Sequence, residues 1–375
     1  MLKIRIAILY VVSFFSFSII LSGCKTNAGL KQSFKNDFYI GVAMNSAQIQ
    51  GLDKKAQMLI QNNFNSIVAE NCMKSEKIQP TEGNFQFAEP DKLVEFGMQN
   101  NMHIIGHTLI WHSQAPKWFF VDNNGQTVSR EVLIERMRTH INTVVKRYKG
   151  RVKGWDVVNE AINDNGTWRE SPFYKIIGKD FVKLAFQFAH EADPDAELYY
   201  NDYSMALEKR RNSVVAMVKE LQAEGIKIDG IGMQGHLAMD FPSVEEFEKS
   251  IVAFSELGVK VMITELDLTV LPSPWSKTGA NIADKADYQE RMNPYKTGVP
   301  AEVNAEWEQK YLDFFQLFVK HKDKISRVTL WGLTDTDSWK NDWPIKGRTD
   351  YPLLFDRNYQ PKPIVKKIMK AAMNH

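Results

Sequence analysis

Eight short apolar runs, separated by longer amphipathic stretches, constrain the fold more than any other feature of the chain. They cover residues 38–44, 64–71, 102–109, 152–160, 197–203, 230–236, 260–268 and 327–335. All are rich in β-branched and aromatic residues, as strands buried on both faces are. The stretches between them carry apolar residues at helical spacing. Leu93, Val94, Phe96 and Met98 form one stripe within 90–100. Val132, Leu133, Met137, Ile141, Val144 and Val145 form another after Ser129, and Phe181, Leu184, Ala185 and Phe188 a third before Pro194. Ser243 with Glu246 three positions on marks a helix start, and 307–318 and 363–373 are further amphipathic runs. Eight strands, each followed by a helix, predict a single-domain α/β fold, the (β/α)8 TIM barrel. A doubly wound open sheet competes, but its Gly-rich phosphate turn is missing after Met44.

The first residues read as something other than fold. Lys3 and Arg5 precede an uncharged run from Ile6 to Ile20, too short to cross a bilayer comfortably as a helix. It fits a secretory signal, and Leu21-Ser22-Gly23-Cys24 resembles the bacterial lipobox. The expectation is a lipoprotein signal peptide over 1–23, lipid on Cys24, a polar tether over 24–36 and a catalytic barrel over 37–375. An exported protein, lipid-anchored to the outer membrane or cell surface, follows from that reading; a monomer is expected separately. With Cys24 acylated, Cys72 has no partner and no disulfide forms within the chain.

Charge narrows the partners. The chain has 47 Lys+Arg against 45 Asp+Glu, a net +2, and losing Lys3 and Arg5 makes the two signs equal. Nothing in that balance is suited to neutralising phosphates, so nucleic acid is excluded as the main partner. Charged residues at 25% and hydrophobic ones at 44% also exclude a disordered chain.

In a barrel of this kind the functional groups stand at the C-terminal ends of the strands. Those ends carry Glu70, Asn71 and then Lys74; His107, Trp111, His112 and Gln114; Asn159 and Glu160; Asn201, Asp202 and Tyr203; Gln234 and His236; Glu265 and Asp267; and Trp331 with Trp339 beyond it. Glu160 and Glu265 end two separate strands and converge only if the barrel closes. Cleavage of a glycosidic bond needs such a pair: one acid to protonate the leaving oxygen, one carboxylate to attack the anomeric carbon or activate water. Glu265 and Asp267 are two apart on a strand, as are Gln234 and His236 on its neighbour, so each pair shares a face. That spacing predicts a row Glu265–His236–Asp267 that orients Glu265 and keeps it ionised.

Five segments resemble glycoside hydrolase family ten: GHTLIWHSQAPKW (106–118), WDVVNEA (155–161), GIGMQGH (230–236), MITELD (262–267) and LWGLTDTDSW (330–339). The match runs in order from about Phe38 to the C-terminus. The resemblance implies a retaining endo-β-1,4-xylanase with xylan or xylo-oligosaccharides as substrate and no cofactor or metal. It implies Glu160 as acid/base, Glu265 as nucleophile, His236 and Asp267 as the support of Glu265, and Asn159 as the holder of the sugar 2-hydroxyl. Glu70, Asn71, Lys74, His107, Trp111, Gln114 and Gln234 resemble sugar-binding residues, and Trp331 and Trp339 aromatic walls. Tyr203 is open between substrate contact and packing, and His112 is left out as a buttress. The polar stretch 271–303 is longer than the family pattern needs, and Trp275 and Tyr295 there are candidate substrate contacts.

Three other readings stay open on residues alone. A metal-dependent barrel hydrolase would use His107, His112, His236 and the carboxylates, but commonly puts an H-x-H pair on its first strand, which ends here in Met44-Asn45. A non-catalytic glycan-binding lipoprotein would be expected to have lost one carboxylate. The same chemistry on another β-1,4-glycan, such as cellulose, differs only in how the walls treat a hydroxymethyl group.

Overall fold

The computed structural model describes residues 29–272, 292–343 and 346–373. Its strands are β1 (Tyr39–Met44), β2 (Ser66–Ala69), β3 (His103–Trp111), β4 (Gly154–Asn159), β5 (Glu197–Asp202), β6 (Gly230–Met233), β7 (His236–Ala238), β8 (Lys260–Thr269) and β9 (Ile325–Leu330). Each neighbour pair is parallel, and the β6–β8 and β1–β9 pairings close the sheet on itself. The result is the eight-strand parallel barrel with flanking helices that the apolar runs predict. Every run contains a strand.

The sixth run differs in detail. It breaks into β6 and β7, and β7 pairs with β8 at His236↔Asp267. Gly235 between them has φ +81°, and a Cβ there would sit 2.9 Å from Ile263 Cγ2. Only glycine adopts that conformation freely and leaves that room. Gln234 and His236 therefore do not share one strand face, contrary to the period-two expectation, although each still reaches a carboxylate.

The helices follow their stripes. Ala88–Gln99, Arg130–Arg147, Asp180–Ala192, Val244–Ser255 and Pro363–Met373 lie where the apolar spacing puts them. Ser129 and Ser243 cap theirs by accepting from the backbone N–H of Val132 and Glu246. The run at 307–318 extends to Ala301–Lys320, so the polar stretch ends earlier than its composition suggests. Lys54–Asn63 and Glu208–Ala223, not singled out in the sequence, complete the ring.

The polar tether needs a boundary correction. Leu30–Ser33 is a helical turn, and Leu30 and Phe34 are fully buried. Phe34 stacks on Phe38 with ring centroids 5.1 Å apart and meets Phe315 at 5.6 Å. Two apolar side chains four apart were enough to draw this segment into the folded body. Cys24 and the signal segment lie outside the described residues, as does Trp275. Tyr295 is described, and its carbonyl accepts from Tyr351 Oη at 3.0 Å.

Candidate active site

Glu160 follows the last residue of β4, and Glu265 lies within β8. Both are under one-tenth exposed. Glu160 accepts from Trp111 Nε1 at 2.9 Å on one oxygen and from Gln234 Nε2 at 3.0 Å on the other. Glu265 accepts from Asn201 Nδ2 at 2.8 Å and pairs with His236 Nε2 at 3.1 Å. A short amide chain joins the two sites. Asn159 Oδ1 accepts from Asn201 Nδ2 at 2.9 Å and from Gln234 Nε2 at 3.4 Å. The two glutamates thus belong to one hydrogen-bonded web at the top of the barrel.

Their environments differ in sign. Burial pushes the Glu160 carboxyl above the ordinary range, the Asp202 charge pushes the same way, and Glu265 adds to it. Burial also pushes Glu265 upward, but the His236 hydrogen bond, His107 and Asn201 together outweigh it and hold the group below its ordinary value. The row Glu265–His236–Asp267 is present, with His236 Nδ1 2.9 Å from Asp267 Oδ2. Burial would lower His236, yet Asp267 and Glu265 raise it to about 9. Asp267 accepts in addition from Trp339 Nε1 at 2.9 Å and Lys340 Nζ at 2.6 Å, and is held at about 2 against its burial by His236 and Lys340.

The other sequence-predicted residues collect around this web. Lys74 Nζ donates to Asn71 Oδ1 and Gln114 Oε1, each at 3.0 Å, and stands 5.0 Å from the Trp111 ring centroid. Burial lowers the Lys74 ammonium, while Glu265, Glu70 and Glu160 oppose that fall. Burial likewise raises Glu70 against the pull of Lys74. His107 Nδ1 pairs with Asp156 Oδ2 at 2.9 Å, and its ring meets Trp331 edge-on at 5.2 Å. The Trp339 ring lies 5.1 Å from His236 and 4.7 Å from Trp343. Tyr203 is half-buried; its hydroxyl accepts from Arg169 Nη2 at 2.7 Å.

Several participants were given no role by the sequence reading, which named Asn201 only as a strand-end residue. Asn201 bridges Asn159 and Glu265, and its Oδ1 accepts from Thr264 Oγ1 at 2.6 Å. Its position at the end of an apolar run was the available signal. Lys340 follows Trp339 directly, but nothing local says that its stem turns inward. Asp156 and Arg169 are one charged residue inside a strand and one in a loop, neither marked by any period.

Paired carboxylates of opposite electrostatic bias at the C-terminal mouth of a (β/α)8 barrel define a glycoside-cleaving site. The match to known proteins is extensive: residues 29–371 fit the model of glycosyl hydrolase family 10, and the chain belongs to that family. Endo-1,4-beta-xylanase A of Xylanibacter ruminicola is 55% identical over 333 residues, covering 89% of this chain and 90% of its own. A GH10 endoxylanase from a sugarcane soil metagenome superposes with a TM-score of 0.88 at 47% identity, over 91% of this chain and 99% of that one. An intracellular xylanase of Thermoanaerobacterium saccharolyticum, solved as a mutant with xylotriose, gives 0.79 at 36% identity, over 90% of this chain and 97% of its own.

Proposed function

We propose that this chain is an endo-1,4-β-xylanase acting by double displacement with retention of configuration. The observation that carries the reading is the contrast between Glu160, biased toward its protonated form, and Glu265, biased toward its ionised form, within one web. Glu265 attacks the anomeric carbon while Glu160 gives its proton to the departing oxygen, forming a glycosyl ester. Glu160, now ionised, takes a proton from water as that water attacks the same carbon, and Glu265 leaves. The sugar departs with its original stereochemistry, which calls for carboxyl groups roughly 5–5.5 Å apart.

The surrounding residues serve this exchange. His236 and Asp267 orient Glu265, and Asn159 holds the sugar 2-hydroxyl, a contact that tightens as the ring flattens. Glu70, Asn71, Lys74, His107, Trp111, Gln114 and Gln234 bind the sugar on the retained side. Trp331 and Trp339 wall it in. Products of linear and decorated xylan, followed by NMR, test the reading: the β-anomer should appear first. An α-anomer appearing first, or faster cleavage of cellulose than of xylan, would reject it.

The lipobox-like Leu21-Ser22-Gly23-Cys24 supports export with lipid on Cys24 and display at the bacterial surface, where xylan is met. Metabolic labelling with a palmitate analogue should mark the wild type and spare Cys24→Ala. A labelled Cys24→Ala protein would rule the anchor out.

A further inference from the structure

We propose that Arg169 is a positioning residue for Glu160: its guanidinium clamps the backbone that aims the acid/base carboxyl and ties it to the Tyr203 hydroxyl. The inference rests on the acid/base reading of Glu160 and adds a residue that no motif in the chain pointed to.

Glu160 is not a comfortable residue. Its φ is +60°, a left-handed conformation that costs a side-chain-bearing residue roughly 1–2 kcal/mol. Such a backbone persists only where its surroundings over-determine it. The carboxyl leaves β4 in the direction this turn dictates, so whatever holds the turn also holds the aim of the carboxyl.

The next residues fold back on themselves. Ile162 pairs with Trp168 across a narrow antiparallel bridge, Asn163 N–H donates to Thr167 O at 2.8 Å, and Arg169 N–H donates to Ala161 O at 2.8 Å. The bridge carries Arg169 from the far end of the loop back beside Glu160. There Arg169 Nε donates to the Glu160 carbonyl at 2.9 Å, and Nη2 donates to Tyr203 Oη at 2.7 Å. One planar fork thus spans the acid/base backbone and the first residue after β5.

The other groups of the turn are held from β5. Glu160 N–H donates to Asn201 O at 2.9 Å, and Ala161 N–H donates to Tyr200 Oη at 3.0 Å. Tyr200 Oη in turn donates to Asp202 Oδ2 at 2.5 Å, and Arg210 pairs with Asp202 at 2.9 Å while lying 3.9 Å from the Tyr203 ring centroid. The two direct anchors, Asn201 O and Tyr200 Oη, stand on β5, and Arg210 backs them from the helix Glu208–Ala223. The Glu160 carbonyl is therefore pinned from the loop side by Arg169 Nε. A lysine, with one ammonium and no fork, cannot reach both acceptors in this geometry.

The test separates aim from fold by the leaving group. Dinitrophenolate departs without a proton, whereas phenolate needs one. kcat/KM, which reports the glycosylation step, is measured for wild type, Arg169→Gln and Arg169→Lys on dinitrophenyl and phenyl β-xylobiosides. Both variants should lose about 10- to 100-fold on the phenyl glycoside, part of what a general acid supplies, and stay within about twofold on the dinitrophenyl one. Tyr203→Phe, which removes one anchor of the fork, should show the same split more weakly. Equal losses on the two glycosides, no loss on the phenyl glycoside, or full recovery by lysine overturns the clamp. A wild type that cleaves neither glycoside overturns the acid/base reading itself, and the clamp with it.

Discussion

Replacing Asp267 by Asn keeps the shape of the side chain and removes its charge from a position that is 1% exposed. The wild-type carboxylate faces His236 Nδ1, Trp339 Nε1 and Lys340 Nζ, all within 2.9 Å. Burial alone would lower His236; Asp267 is the main influence that instead lifts it to about 9. Against an ordinary value of ~6.5, that lift corresponds to about 3 kcal/mol of preference for the protonated ring. The sign follows from the raised value: the contribution is complete below ~6.5 and is lost as pH climbs through about 9. The low value of Asp267 is the same coupling seen from the other partner and adds nothing to it. In Asp267→Asn the ring should titrate near or below its ordinary value, so this part of the stability disappears at every pH. Lys340, itself buried, also loses its carboxylate, a loss on the order of 3–5 kcal/mol. The stability gap between wild type and variant should therefore be about 3 kcal/mol larger at about pH 6 than at about pH 10. Urea unfolding at the two pH values measures the gap, and NMR titration of the His236 ring measures its cause. An equal gap at both pH values, or a ring that still titrates near 9 in the variant, would refute the coupling.

Glu160→Ala should lower kcat/KM on xylan by roughly 10²–10⁴-fold while leaving dinitrophenyl β-xylobioside cleavable, with added azide trapped as the β-xylosyl azide. Product NMR decides, and an α-azide would contradict retention. Glu265→Ala should abolish turnover on every xyloside with an unchanged circular dichroism spectrum; surviving xylan cleavage would remove its assigned role. Gly235→Ala puts a Cβ at φ +81° and 2.9 Å from Ile263 Cγ2, so thermal unfolding should show a loss of at least about 1–2 kcal/mol. An unchanged Tm would show that the β6–β7 break tolerates a side chain.

The barrel was legible because parallel strands covered on both faces must be apolar almost throughout, and each run of that kind contains a strand. The carboxylates were legible because polar residues that end such runs stand at the open mouth. What stayed hidden depended on backbone geometry that no spacing rule encodes. The sixth run looks continuous in sequence, yet Gly235 splits it, and the pattern of Gln234 and His236 gives no sign of the break. Leu30 and Phe34 lie in a stretch that is polar on average, and only their burial against the barrel shows that the fold has begun. Lys340 and Arg169 act through long side chains whose direction is set by tertiary contacts. Their roles belong to packing, not to period.

Two glutamates of similar burial end up with opposite bias, so burial cannot be what assigns their parts. Around the Glu160 carboxyl, Trp111, Gln234 and Asn159 are neutral donors, and Asp202 and Glu265 press on it with negative charge. Around Glu265 the decisive donor is His236, kept protonated by Asp267, which is itself anchored by Lys340. The asymmetry therefore originates two residues beyond Glu265 on the same strand and reaches the reacting carbon through an imidazole. Under the proposed double displacement, it also sets the order of events. Once Glu265 is esterified its charge is gone, and one of the pressures that kept Glu160 protonated goes with it. Glu160 has by then given up its proton to the leaving group, and the relaxed field favours the ionised form that must activate water. In that mechanism the web that makes Glu160 an acid in the first half of the cycle makes it a base in the second.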